Sequence, residues 1–225
     1  MNAQAAIFED PVAYGEGVRI QKKIHAARLA KAIPDTLLVM QHQPVITLGR
    51  RGRDNYLTVD STELENLGID YHVSSRGGDI TCHGPGQWVL YPIIKLEGQS
   101  ASARGYLWNL EEIAIRTASD FGVCAYRREG MNGAWTDEGK IAAIGFHIKR
   151  WVTLHGMSFN AAAVPEGFSK IVPCGLEGQP VAALKTILGP QTPSMDAVAE
   201  RLLQNFGAVC GRDITLVKPS ELASV

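Results

Sequence analysis

Cysteine is scarce in this chain of 225 residues, with four in all and no two of them close together. Cys82, Cys124, Cys174 and Cys210 are separated by 42, 50 and 36 residues. That spacing excludes both a CxxC metal motif and the framework of a small disulfide-stapled domain, so they read as free thiols in a reducing compartment. The six histidines show no HxxxH pair, and no metal site is expected. Charge of one sign is lacking too. Lys and Arg number 22 against 23 Asp and Glu, a formal net charge of -1, so the footprint of a protein bound to nucleic acid phosphates is absent and nucleic acid is not an expected partner. No window approaches the roughly 18 uninterrupted apolar residues of a membrane span. The opening MNAQAAIFED has neither the basic nor the apolar region of a signal peptide. A soluble, cytoplasmic chain without a membrane partner is expected. The GxxxxGK[ST] phosphate loop, the GxGxxG dinucleotide fingerprint and the GxSxG nucleophile elbow are also missing.

Glycine is what the chain has in excess: 23 residues, about one in ten against a usual ~7%. The length suits one large domain rather than two small ones, and surface scaling lets about 70% of the chain's surface be buried without staples. Apolar positions Ile20, Ile24, Ala27, Ala30 and Ile33 predict a first helix between Gly17 and Pro34. Strands are expected over Leu37 to Met40 and Val45 to Leu48, followed by a basic loop, Gly49 to Arg53. Thr62 and Glu65 suggest a capped short helix before a strand from Ile69 to Ser74. Leu107, Leu110, Ala114 and Phe121 share a helical face, with Glu111 and Glu112 outward and Gly122 as the cap. Gly133 to Asn160 reads as an antiparallel meander. A last helix opens at Ser194, carries Met195, Val198, Leu202 and Phe206, and closes at Gly207 before a strand from Ile214 to Val217. The pattern predicts one α+β domain, residues 1–225, around a mixed β-sheet flanked by helices.

Three segments could carry chemistry. Arg76-Gly77-Gly78-Asp79-Ile80-Thr81-Cys82-His83-Gly84-Pro85-Gly86-Gln87 is either a glycine-rich turn between strands or a loop whose free backbone N–H groups approach a ligand closely. Lys140, in Gly139-Lys140-Ile141-Ala142-Ala143-Ile144-Gly145, sits at a turn-to-strand boundary beside small residues; a solvated surface lysine is the plain alternative. Cys174, in Ile171-Val172-Pro173-Cys174-Gly175-Leu176, is either a small buried hydrophobe or a thiol in an open loop, with Gly175 leaving room for an approaching group. Arg50, Arg51, Arg53, Arg127, Arg128, Lys149 and Arg150 form basic clusters that either steer an acidic partner or are solvated loop faces. Cys124 and Cys210 read as packing residues.

Taken together and in this order, the three segments resemble the lipoyl/octanoyl-protein transferase family: RGGDITCHGPGQWVLYP its signature loop, GKIAAIGFHIKRWVTLHG its lysine-bearing hairpin and IVPCGL its cysteine loop. The resemblance spans about residues 10 to 210. It implies a fold similar to the catalytic domains of biotin protein ligases and lipoate ligases. It further implies an acyltransferase of protein lipoylation in which Cys174 attacks the thioester of octanoyl acyl carrier protein and Lys140 assists. The octanoyl group then passes to a specific lysine of a lipoyl domain. Acceptors implied are the lipoyl domains of 2-oxoacid dehydrogenases and the glycine cleavage H protein, and neither ATP nor metal is implied. Residues matching the acyl-site positions are Arg76, Gly77, Gly78, Asp79, Ile80, Thr81, Cys82, His83, Ala143, Ile144, Gly145, Gly156, Met157 and Ser158. Two positions depart from the family: Cys82 stands where an aromatic residue is common, and His147 where Arg is common. Competing readings are an ATP-dependent lipoate or octanoate ligase of the same fold, a transferase that takes octanoyl from another lipoyl domain, and a non-catalytic module that binds carrier domains.

Overall fold

The computed structural model of the chain describes residues 1–52, 56–97, 102–172 and 179–222. Strands β2 (Asp35–Met40) and β6 (Gln87–Ile93) are buried along their whole length, and their alternation explains the layers around them. Leu37 and Val39 of β2, with Trp88 and Leu90 of β6, join one apolar cluster; Leu38 and Met40, with Val89 and Tyr91, join a second. Helices α3 (Ala103–Asp120) and α5 (Met195–Cys210) cover the first face with Leu110, Ile113, Leu202 and Phe206. Helix α1 (Tyr14–Leu29) covers the second with Ile24. Each such fully buried aliphatic side chain contributes about 2 kcal/mol.

The large sheet has eight strands in the order β11 (Asp213–Leu216), β1 (Asn2–Ile7), β2, β6, β10 (Val152–Asn160), β9 (Gly139–Lys149), β8 (Met131–Thr136) and β7 (Tyr126–Arg128). Strand β1 runs parallel to both β11 and β2, and the remaining neighbours are antiparallel. A second sheet of three strands, β4 (Asp70–Val73), β3 (Val45–Leu48) and β5 (Ile80–His83), has its own apolar cluster of Ile46, Ile80, Cys82 and Leu64, the last from helix α2 (Ser61–Asn66). The α+β class is therefore as expected, with two sheets where one was expected. Short helices α4 (Leu184–Leu188) and α6 (Pro219–Leu222), with 3-10 turns at Glu166–Lys170 and Gly189–Gln191, complete the elements of the described residues.

Differences from the sequence expectation have local causes. Strand β1 carried no turn signal and was not expected, and β5 lies inside what read as a loop. Helix α1 starts at Tyr14 and stops at Leu29 instead of reaching Pro34, and Lys31 turns out of the helical region at φ 59°. The cap of α2 is Asp60, whose carboxylate accepts from Glu63 N at 2.9 Å, rather than Thr62. Glu111, expected outward, is buried because it accepts from Gly133 N at 3.0 Å and pairs with Arg127 at 3.2 Å. Ser194 does cap α5, accepting from Ala197 N at 3.2 Å, but the helix passes Gly207 and ends where Gly211 adopts φ 62°. Cys124 is exposed rather than packed.

Candidate active site

A cavity of about 570 Å³ lies between the two sheets, within the ~300–1,000 Å³ usual for small-ligand sites. One wall comes from the small sheet and the loop before β5. Arg50 N donates to Arg76 O and Arg51 N to Gly78 O, each at 3.0 Å, and Gly77 N donates to Phe146 O of β9 at 2.9 Å. This lacing needs glycine at two places. Gly78 holds φ 85°, and a Cβ on Gly145 would stand 2.7 Å from Gly77 O. The opposite wall is the β9–β10 hairpin, where Gly156 lies opposite Gly145, Met157 opposite Ile144 and Ser158 opposite Ala143.

Of the residues expected at the acyl site, Arg76, Gly78, Asp79, Ile80, Thr81, His83, Ala143, Ile144, Gly145, Gly156, Met157 and Ser158 line this cavity, together with Lys140. Gly77 and Cys82 do not line it. Strand alternation turns Thr81 and His83 toward the cavity and Cys82 into the small-sheet core beside Gly167. Burial there pushes the Cys82 thiol up to about 12. Arg76 is buried as well, and its guanidinium donates to Thr47 O at 2.6 Å, to Thr47 Oγ1 at 2.8 and 3.1 Å, and to Gly77 O at 3.1 Å. Much of its donor capacity therefore holds the wall itself.

Lys140 is the second residue of β9, half-buried. Its Nζ stands 4.6 Å from the centre of the Trp135 ring, a cation–π contact. Its backbone is fastened on the side opposite β8: Lys140 N donates to Pro180 O at 2.9 Å and Ala182 N donates to Lys140 O at 3.0 Å. Cys174, with Pro173 and Gly175, lies outside the described residues. The described residues that follow this segment, Gln179, Pro180 and Val181, line the cavity beside Lys140, and the one before it, Val172, donates through its N–H to Tyr56 O at 2.8 Å.

Sequence patterns did not find Tyr14, Tyr91, Trp135 or Asn160, which also line the cavity. No local pattern marks Tyr14, Trp135 or Asn160, and Tyr91 lies in the quoted signature segment without standing out there; the tertiary fold brings α1, β6, β8 and β10 to the same place. With them comes a set of buried imidazoles. His42 contacts Val12 O at 2.8 Å and Tyr91 OH at 2.7 Å, and His155 Nε2 lies 3.1 Å from Ser75 Oγ. Desolvation, the largest cause in each case, lowers His42 to about 4 and His83 and His155 to about 3, so all three are neutral at pH 7. Among the described residues no group of three or more His, Cys, Asp or Glu is placed to hold a metal. The basic clusters divide. Arg127 is bound to Glu111 and Glu112 and stacks on Trp108, and Arg128 stacks on Trp135, whereas Arg50, Arg51, Lys149 and Arg150 are exposed. Arg53 lies outside the described residues.

A family model described as the lipoyl protein ligase A/B catalytic domain matches residues 13–207. The chain belongs to that family. An octanoyltransferase of Caldicellulosiruptor saccharolyticus is 38% identical over 220 residues, covering 97% of this chain and 93% of its own. Another, from Syntrophotalea carbinolica, is 42% identical over 193 residues, covering 86% and 88%. Relatives of that identity and coverage make this member of the family a transferase enzyme. In fold it is similar to the bipartite lipoate protein ligase of Thermoplasma acidophilum, with a TM-score of 0.75 at 14% identity over 100% of this chain and 89% of the other. More distantly it is similar to the biotin protein ligase of Aquifex aeolicus, with a TM-score of 0.55 at 9% identity over 94% and 70%. Among the described residues of this lipoyl ligase A/B family member, no helix is long and apolar enough to cross a membrane.

Proposed function

We propose that this chain moves an octanoyl group from the thioester of octanoyl acyl carrier protein to a lysine of a lipoyl domain, by way of a thioester on Cys174 assisted by Lys140. Octanoyl transfer in protein lipoylation is the activity of the chain, given octanoyltransferases about 40% identical over nearly its full length. The route through Cys174 is supported by one observation above the rest: Lys140 and the residues that follow the Cys174 segment, Gln179 to Val181, stand together on a cavity walled by Ala143, Gly145 and Gly156. Small residues there leave a slot beside backbone for an unbranched chain, and backbone N–H groups can hold the acyl oxygen as negative charge develops on it.

An ordinary thiol of pKa about 8.5 is about 3% thiolate at pH 7, and each unit of depression corresponds to about 1.4 kcal/mol. The ammonium of Lys140 supplies that stabilisation. The thiolate attacks the donor carbonyl, the C–S bond to phosphopantetheine breaks, and the departing thiolate takes a proton back through Lys140. In the second half-reaction the acceptor amine attacks the acyl-enzyme, an amide forms, and Cys174 leaves. Thioester exchange is nearly isoenergetic and amide formation from a thioester is downhill, so the reaction uses neither ATP nor metal. Acceptors are the lipoyl domains of 2-oxoacid dehydrogenases and the glycine cleavage H protein.

Intact mass spectrometry after incubation with octanoyl acyl carrier protein tests this. One octanoyl adduct, labile to hydroxylamine and lost in Cys174→Ala, is expected. An adduct that persists in Cys174→Ala overturns the nucleophile, and transfer that requires ATP overturns the thioester route.

A further inference from the structure

Gln87 and Asn160 are buried polar residues, 0% and 4% exposed, that the chemistry above does not use. They join the cavity to the backbone beside Lys140. His83 Nδ1 lies 2.7 Å from Gln87 Oε1, Gln87 Nε2 donates to Asn160 Oδ1 at 2.8 Å, and Asn160 Nδ2 donates to Ala182 O at 2.9 Å. The direction of this series is set at its far end. A backbone carbonyl can only accept, so Asn160 must turn its amide nitrogen to Ala182 and its oxygen to Gln87. Gln87 must then turn its nitrogen to Asn160, where it also reaches Cys82 O at 3.4 Å, and its oxygen to His83. An amide oxygen cannot donate, so Nδ1 of His83 carries the ring proton and Nε2 keeps its lone pair.

That choice opposes the preference of a free imidazole for the Nε2–H form, and the fold holds it in place. His83 is 5% exposed, lines the cavity and stacks on Tyr14 with ring centres 6.2 Å apart. Nε2 has no hydrogen-bond partner among the described residues. Once phosphopantetheine has left, the acyl chain and its thioester carry no N–H or O–H; the entering lysine amine does. We propose that Gln87 and Asn160 are positioning residues that fix His83 as the Nδ1–H tautomer, so that Nε2 accepts a hydrogen bond from the acceptor amine as it attacks the acyl-enzyme. This deepens the two-step reading and rests on it. The nitrogen–carbon bond forms, the carbon–sulfur bond breaks, and the proton shed by nitrogen ends on the Cys174 thiol. Since Ala182 N donates to Lys140 O at 3.0 Å, the same anchor ties His83 to the strand that holds Lys140.

Long-range ¹H–¹⁵N correlation on the full, ¹⁵N-labelled chain at pH 7 reads the tautomer directly, with His83 assigned by its loss in His83→Gln. The wild type is expected to show Nδ1–H; an Nε2–H pattern overturns the proposal without any relay variant. Asn160→Ala frees Gln87 to rotate and is expected to shift His83 toward Nε2–H. Asn160→Asp, protonated by burial, can still donate to Ala182 and accept from Gln87, and is expected to keep Nδ1–H. A tautomer unchanged in Asn160→Ala overturns the relay. In rapid-quench assays of the separate half-reactions, Asn160→Ala is expected to slow amine transfer about tenfold more than acyl-enzyme formation, about the worth of one hydrogen bond, with Asn160→Asp restoring most of it. Equal slowing of both steps overturns the assignment to the amine. Absence of an acyl-enzyme in the wild type would instead overturn the Cys174 reading, leaving the relay to be judged on the tautomer alone.

Discussion

Replacing Arg76 with methionine separates a residue that holds the cavity wall from one that holds the ligand. The side chain is 6% exposed and, among the described residues, makes four hydrogen bonds, three to Thr47, which is itself 0% exposed, and one to Gly77 O. Arg76→Met keeps the length of the side chain but deprives the Thr47 hydroxyl and two carbonyls of these donors. At about 1–3 kcal/mol for each buried group, less what is regained by no longer desolvating a cation, the loss of stability is about 3 kcal/mol. Thr47→Val removes two of the same bonds and costs about 1.5 kcal/mol. Because the shared bonds cannot be lost twice, the double variant should be about as unstable as Arg76→Met alone, a coupling of about 1.5 kcal/mol. Urea unfolding followed by the fluorescence of the buried Trp88 and Trp135 reads this as a midpoint fall of about 1 M. Additivity within about 0.5 kcal/mol would refute the argument. So would an unchanged midpoint accompanied by a raised KM, the mark of an arginine spent on substrate.

Gly145→Ala places a methyl group 2.7 Å from Gly77 O and 3.3 Å from Arg76 Cδ. It should lower octanoyl transfer by about tenfold or more by parting the loop from β9; a steady-state rate within twofold of wild type counts against that contact. Acid should unfold the chain steeply. His42, lowered to about 4, and His83 and His155, lowered to about 3, bind fewer protons folded than unfolded as pH falls below 6.5. Stability present above that pH is then lost by up to about 1.4 kcal/mol per unit for each histidine. His42→Gln should remove about a third of the slope that these three histidines contribute, and an unchanged slope would contradict it. Iodoacetamide at pH 8 should label the exposed Cys124 of the native chain but spare Cys82, whose thiol is pushed up to about 12. Peptide mapping that finds Cys82 labelled without denaturant refutes its burial. The same shift predicts stability falling between pH 9 and 12, where the unfolded thiol ionises and the folded one does not.

Much of this molecule is legible in its sequence because the signals are local. The apolar face of α5, the glycine-punctuated hairpin of β9 and β10, and the three segments that carry the family resemblance can be read within windows of about two dozen residues or fewer. What was not legible depends on distance along the chain. Strand β1 is flanked by no turn signal, and its parallel partners β11 and β2 supply the edges that make it a strand. Glu111 looks like one of a pair of surface acids until Gly133 and Arg127 arrive beside it. Cys82 belongs to the signature loop by position, yet the alternation of β5 points it away from the cavity. Tyr14 reaches the cavity from α1 with no motif to announce it, and Tyr91, though inside the signature segment, is singled out only by the tertiary fold.

The cavity borders all three apolar clusters, meeting Met157 of the first, Tyr91 of the second and Ile80 of the third. On the proposed reading, a hydrocarbon chain held there touches all three clusters at once. It then acts as mortar, and because it binds only the folded chain its binding energy adds to the stability of the whole molecule rather than of one wall. Product release on that reading would withdraw a contact shared by three parts of the interior.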